Sequence, residues 1–282
     1  MPMQYRFLRG MLYQLWRQPQ PQTPRHLFDP LVISGRNTLL DCDYNIHKSN
    51  STYFTDLDIA LGHAVGIVLR TGLERLNRDD QQGVPAELVK APGQYNFALG
   101  GVSCFFHRQI EPLQAYDICT RLLTWDQKWI YFVSHFVRKG VIQPESYSMQ
   151  PWKKSKAHSS RNDIEKTDLK PHIFATSIAR FVGKKGRLTM TPDALLTYSR
   201  LIPPRVERGD ESINGSLPAL NGSVGAADEH PTEAKKDEWK WEDMDRERLR
   251  GLGLAKHFDA LGGGLQSEIS IDEVLGEFGT YW

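Results

Sequence analysis

The segment Asp41 to Phe54, DCDYNIHKSNSTYF, gathers two carboxylates, an imidazole and two carboxamides in one short stretch. Asp43, His47 and Asn50 follow one another at spacings of four and three, so a turn entering a helix can bring them together. A carboxylate that is ionised at neutral pH can attack an electrophilic carbonyl or activate the water that does so. An imidazole beside it can orient the carboxylate or carry a proton to a leaving group. Backbone N–H groups at the start of a helix, around Asn50 to Tyr53, would receive the developing oxyanion of an acyl transfer. The same residue types also build turns and caps. On that reading Asp41 forms the turn, Asn50 or Ser49 is the N-cap, and Tyr53 packs beneath. No base is indicated for Cys42, which reads as a packing residue rather than a nucleophile.

The flanking elements must hold this stretch in place. Residues 18–30 contain four prolines and read as an extended connector. Leu31 to Asp41 reads as a strand running into the motif. From Ser51 to about Arg78, Tyr53, Leu57, Leu61, Ala64 and Val68 recur at steps of three or four, which predicts a long helix. Gly62, Gly66 and Gly72 weaken it by up to about 1 kcal/mol each, so it should be buried and held by packing. After a loop at Pro85 to Gly93, strands are predicted at Phe97–Arg108, Tyr116–Thr124, Trp129–Arg138 and His172–Val182. Asp126-Gln127-Lys128 reads as a hairpin connection, and Gln143 to Lys170 as a polar surface insertion. One long helix with hairpin-linked strands predicts an α+β fold in which that helix covers one face of an antiparallel sheet.

The composition narrows the function. Lys+Arg number 35 against 34 Asp+Glu, a balance that gives no global field for gripping a phosphate backbone, so nucleic-acid binding is disfavoured. Three scattered cysteines are not a disulfide framework, and the histidines fall into no metal-ligand spacing, so we expect neither metal nor other cofactor. The N-terminus lacks a signal-peptide core, which predicts a cytoplasmic protein. Tyr5, Leu8, Leu12, Leu15 and Trp16, with Arg6, Arg9 and Arg17 nearby, can form an amphipathic helix suited to peripheral membrane contact or to packing on the domain. Gly101-Val102-Ser103-Cys104-Phe105 lacks the closing glycine of a serine-hydrolase elbow. The basic groups Lys153, Lys154, Lys156 and Arg161, or Lys184, Lys185 and Arg187, can grip phosphates or simply be solvated.

The pattern D-x-D-x-x-x-H-x-x-N-x-x-Y, filled by Asp41, Asp43, His47, Asn50 and Tyr53, resembles the signature of hotdog-fold thioesterases of the 4-hydroxybenzoyl-CoA thioesterase type. Within them the chain looks most like the branch of thioesterase superfamily member six and its fungal thioesterase-like relatives. The resemblance covers about Pro30 to Ile202. It implies a hotdog fold, an antiparallel sheet wrapped around one long central helix, with N- and C-terminal extensions. It also implies hydrolysis of an acyl thioester, on CoA or an acyl carrier protein, in lipid or polyketide metabolism. The catalytic residues would be Asp43, as nucleophile or general base, with His47 and Asn50, and the acyl pocket would include Tyr53, Leu57 and Phe105. The turn lacks the glycine that many relatives place before the histidine, and Ile46 stands there instead. Asp56 and Asp58 on the helix offer a fallback carboxylate, although solvated positions are the commoner fate of such residues. The competing readings are a non-catalytic acyl-binding scaffold and a hotdog dehydratase or hydratase, against which the D-x-N-P-x-H turn is incomplete. A homodimer is expected from the exposed sheet edge. The domain map is then a segment at 1–29, the hotdog domain at 30–202, a flexible linker at 203–238 and a helical tail at 239–282, which docks through Trp239, Trp241 and Phe258 or stays independent.

Overall fold

The structure, a computed structural model, describes residues 23–78, 84–150, 152–153, 169–203 and 239–266. The expected N-terminal amphipathic helix, nearly all of the expected linker and most of the first basic group therefore lie outside the described residues.

Among the described residues six strands and four α-helices follow in the order β1 (Leu31–Arg36), α1 (Asn50–Asn77), α2 (Ala86–Lys90), β2 (Tyr95–Phe106), β3 (Ala115–Trp125), β4 (Ile130–Arg138), β5 (Ile173–Lys185), β6 (Leu188–Met190), α3 (Pro192–Tyr198) and α4 (Trp241–Gln266). The strands form one antiparallel sheet in the order β1-β3-β4-β5-β2, with β6 added beside β5. The β3–β4 hairpin closes tightly because the Asp126 carboxylate accepts the N–H groups of Lys128 and Trp129, both at 2.7 Å. Register shifts at Leu99/Gly101, Leu122/Thr124 and Phe136/Val137 mark bulges, which bend strands and increase twist. The sheet curls around α1, giving the hotdog arrangement.

The helix fills that curl with the stripe its sequence periodicity predicts. Tyr53, Leu57, Ala60, Leu61, Ala64, Leu69 and Leu76 are buried against Tyr116, Ile118, Phe132, Phe136, Ala175 and Ala179 of the sheet. Each large side chain buried there contributes roughly 1.5–3 kcal/mol, enough to offset the three helix glycines.

The structure departs from the predicted elements where side chains override strand propensity. The first strand stops at Arg36, because Asn37 is buried and its amide donates to the carbonyls of Ile110 at 3.1 Å and Glu111 at 3.0 Å. A 3-10 turn at Leu39–Asp41 follows. The expected loop at 85–93 contains the short helix α2, and β5 runs on to Lys185.

Part of the outer face of the sheet is covered by α4. Leu123, Tyr131 and Ala255 form a second buried cluster there, joined by Trp129, Val133, Ile178 and Phe258. Thr124 Oγ1 donates to the Arg248 carbonyl at 2.7 Å, and Arg180, which pairs with Asp259, lies over the Trp129 ring at 4.6 Å and the Phe258 ring at 5.6 Å. Trp239 meets Phe28 edge-on, with ring centroids 5.6 Å apart. The tail thus docks through Trp239, Trp241 and Phe258. The helix runs through Gly262–Gly264. Among the described residues no helix is long and apolar enough to cross a membrane.

Candidate active site

The Asp43 segment is a miniature hairpin between the 3-10 turn and α1. Cys42 and Lys48 form an antiparallel bridge, the Asp43 N–H donates to His47 O at 3.0 Å, and the Ile46 N–H donates to Asp43 O at 3.0 Å. Its base is stitched to the rest of the molecule: Ser49 N–H donates to Asp41 O at 2.8 Å, and Lys48 N–H donates to Ile110 O at 2.9 Å. The Asp41 carboxylate accepts the Thr38 N–H at 3.2 Å and hydroxyl at 2.8 Å, so it locks the preceding turn and has no free role in chemistry. Cys42 Sγ sits between the Asn37 amide and the Thr38 carbonyl, each at 3.4 Å.

The hairpin brings Asp43 and His47 together. Their Oδ1 and Nδ1 atoms lie 3.5 Å apart, and both side chains are about one-quarter exposed, at 24% and 27%. The same Oδ1 accepts the Asn45 N–H at 2.9 Å, which fixes one carboxylate oxygen in an Asx turn. An imidazole and a carboxylate in this relation, reachable from solvent, can share the movement of one proton.

Helix α1 begins directly behind them. Ser49 is the N-cap residue, Asn50 is the first helical residue and is exposed, and no Ser49 side-chain bond ties up a first-turn amide. The Ser49 hydroxyl instead meets Ser51 Oγ at 3.0 Å. Backbone donors and the positive end of the helix dipole therefore lie at the point where the hairpin joins the helix.

The other expected contacts are distributed differently. Tyr53 and Leu57 enter the core, with 2% and 1% exposure, where Tyr53 packs edge-on against Phe106 and Phe136 at 5.0 and 4.9 Å. Burial, with the charges of Cys104 and Asp56 adding to it, pushes the Tyr53 phenol well above its ordinary range, so it stays neutral. Phe105 pairs with Thr176 on the sheet face away from α1, while its neighbour Phe106 is the residue that turns toward Tyr53. Within one chain it is therefore Phe106, not Phe105, that lies on the α1 side of β2. A single-residue step along a strand exchanges faces, and this decides between the two.

Three features were missed by sequence reasoning. Asp56 is buried and paired with the buried Lys48, at 2.8 Å, and is not solvated on the helix surface; this removes it as a fallback carboxylate. The signal was available, since position 56 follows Tyr53 by three and so joins the buried stripe. Asp58 lies nearer the surface, and burial raises its carboxyl from the usual range. Lys185, grouped with the phosphate-gripping cations, is buried, donates to Val89 O at 3.0 Å and lies over the Tyr95 ring at 4.6 Å, so it is not available to an anion. Ile46 adopts φ 60°, the left-handed conformation that a glycine would take, and a β-branched residue there is strained. Among the described residues no group of three metal-ligating side chains converges.

Comparison with known proteins identifies the family. Residues 38–150, which include the whole hairpin and α1, match the thioesterase-like superfamily. The chain is 31% identical over 275 residues to a probable thioesterase, atnL, of Emericella nidulans, spanning 91% of this chain and 79% of that one. It is 35% identical over 234 residues to the thioesterase lcsJ of Purpureocillium lilacinum, covering 80% of this chain and 65% of the relative. To the thioesterase poxG of Penicillium oxalicum it is 34% identical over 236 residues, covering 83% and 68%. With such relatives matched over most of their own length, the chain belongs to the thioesterase-like superfamily and is a thioester hydrolase.

Proposed function

We propose that the chain hydrolyses acyl thioesters of CoA or of an acyl carrier protein with Asp43 as the reacting carboxylate, His47 as its proton-handling partner and Asn50 at the mouth of the site. The observation that carries this reading is the 3.5 Å approach of Asp43 and His47 on a hairpin that opens onto the first turn of α1. In the water route, Asp43 accepts a proton as water oxygen attacks the thioester carbon. The carbonyl oxygen gains charge opposite the first-turn amides, the carbon–sulfur bond breaks, and the thiolate departs with a proton relayed through His47. The products are a carboxylic acid and a free thiol. In a covalent route the same carboxylate oxygen attacks the carbon directly and water then cleaves the mixed anhydride.

The apolar wall available to an acyl group is the Phe106–Tyr53 contact beside the hairpin. We further propose a homodimer paired through β2. Among the described residues nothing pairs with its second edge, and its twelve residues, YNFALGGVSCFF, carry no charge to discourage pairing. The three free cysteines suit a reducing compartment such as the cytoplasm, and burial pushes the Cys104 and Cys119 thiols up to about 11, leaving them unreactive.

The test is release of free thiol from a panel of acyl-CoAs of varied chain length, aliphatic and aromatic, and from an acylated carrier protein. Turnover of at least one substrate class is expected. Tight binding without thiol release from any of them would identify an acyl-binding scaffold and overturn the reading.

A further inference from the structure

Directly after His47 the chain sends a lysine into the interior. The Lys48 side chain is 1% exposed and that of Asp56 4% exposed, with Nζ 2.8 Å from Asp56 Oδ2. The Tyr116 hydroxyl donates to the same oxygen. The ammonium also lies 5.4 Å from the ring centroid of Tyr53 and 5.3 Å from that of Tyr116. Tyr116 can lie across the sheet to this point because Gly35 is its partner on β1; a Cβ at residue 35 would come within 2.8 Å of the ring.

Stability alone does not call for such a group. Taking two charges out of water costs several kcal/mol per ion, and an apolar pair of matching shape is often as stable or more so. What an ion pair adds over apolar contact is a fixed direction. Here it joins two particular pieces of backbone. Lys48 belongs to the hairpin, bridged to Cys42, and its carbonyl is 3.4 Å from His47 Nδ1. Asp56 belongs to the second turn of α1. The link therefore runs from the strand that carries His47 to the helix whose first turn faces the substrate carbonyl.

We propose that Lys48, acting through Asp56 and Tyr116, is a positioning residue that fixes the Asp43–His47 hairpin against the start of α1, and so sets turnover rather than substrate affinity. The proposal rests on the reading of Asp43 as the reacting carboxylate.

The decisive variant is the double substitution Lys48→Met with Asp56→Leu, which removes both charges while keeping the volume filled. Its folding is followed by thermal melting, its kinetics by thiol release from the best acyl thioester, and its hairpin by amide hydrogen exchange of Asp43 and Ile46. The expected result is kcat lowered about 10-fold or more, since misplacement by an ångström can cost up to about 100-fold, with KM within about 3-fold and faster hairpin exchange. A folded double variant with wild-type kcat and wild-type hairpin exchange overturns the proposal. Should the double variant not fold, Tyr116→Phe decides, because it keeps the ring and deletes only the donor to Asp56. Lower kcat at unchanged KM supports the positioning role, and wild-type kcat overturns it. Asp43→Asn, measured alongside, keeps the two readings apart. An inert Asp43→Asn with full turnover in the Lys48, Asp56 and Tyr116 variants overturns the positioning role alone, whereas an Asp43→Asn of wild-type rate overturns both.

Discussion

Substituting Gly251 tests how α4 is held on the outer face of the sheet. A Cβ added at Gly251 would lie 2.3 Å from the Leu123 carbonyl oxygen and 2.9 Å from Thr124 Cβ, whereas ordinary contact begins near 3.4 Å. The contact atoms are strand backbone and a Cβ fixed directly to it, so the helix must retreat by about 1 Å at the crossing. That retreat stretches the 2.7 Å bond from Thr124 Oγ1 to Arg248 O beyond useful length, at a cost of about 0.5–1.5 kcal/mol. Overpacking adds about 1–3 kcal/mol, against which alanine returns about 1 kcal/mol of helix propensity. Gly251→Ala should therefore destabilise by roughly 1–3 kcal/mol, or a fall in Tm of roughly 3–10 °C for a domain of this size. Gly253 is the internal control, because a Cβ there meets nothing within 4 Å. Gly253→Ala should gain about 1 kcal/mol from propensity alone. Thermal melts of the two variants, with limited proteolysis to report release of α4, give the comparison. If Gly251→Ala melts at or above the wild type, as Gly253→Ala should, the close helix–strand crossing is wrong.

Two further outcomes follow from the structure. Ile46 is 69% exposed, so replacing it loses little burial, while its left-handed backbone costs roughly 1–2 kcal/mol. Ile46→Gly, after the added flexibility of glycine in the unfolded chain, should stabilise by about 0.5–1 kcal/mol in urea denaturation; a lower midpoint would show that the isoleucine makes contacts worth more than its strain. Burial, with the charges of Arg121 and His107 adding to it, holds the His135 imidazole below its ordinary value of 6.5, and burial does the same to His63. The folded state then binds fewer protons than the unfolded one below that pH. Stability should be full above about pH 6.5 and decline as pH falls toward the folded values. Denaturation midpoints at pH 7.5 and 5.5 measure this, and His135→Gln should make the decline shallower; an equal decline in the variant would assign it elsewhere.

Local periodicity made much of the fold legible. Tyr53, Leu57, Leu61 and Ala64 recur at helical steps and do form the buried stripe of α1, and the turn residue Asp126 does close the β3–β4 hairpin. Asp43 and His47 were legible as neighbours because a tight turn joins residues four apart. What escaped was non-local or conformational. The Lys48–Asp56–Tyr116 group is assembled from a hairpin, a helix and a strand, and only the fold brings it together. The choice between Phe105 and Phe106 depends on strand parity, which the bulge between Leu99 and Gly101 resets. The strand predicted to run to Asp41 ends early because the buried Asn37 amide reaches Ile110 and Glu111, a contact across more than seventy residues that no local pattern announces.

The most direct test of the account is the rate of the chemical step in Asp43→Asn, measured as thiol release under single turnover with enzyme in excess. The variant must first be shown to melt within a few degrees of the wild type. The carboxamide can neither accept the water proton nor attack as an anion, and the account predicts a rate at least about 100-fold lower, as loss of a general base or nucleophile does. A folded Asp43→Asn that releases thiol at the wild-type rate would contradict it.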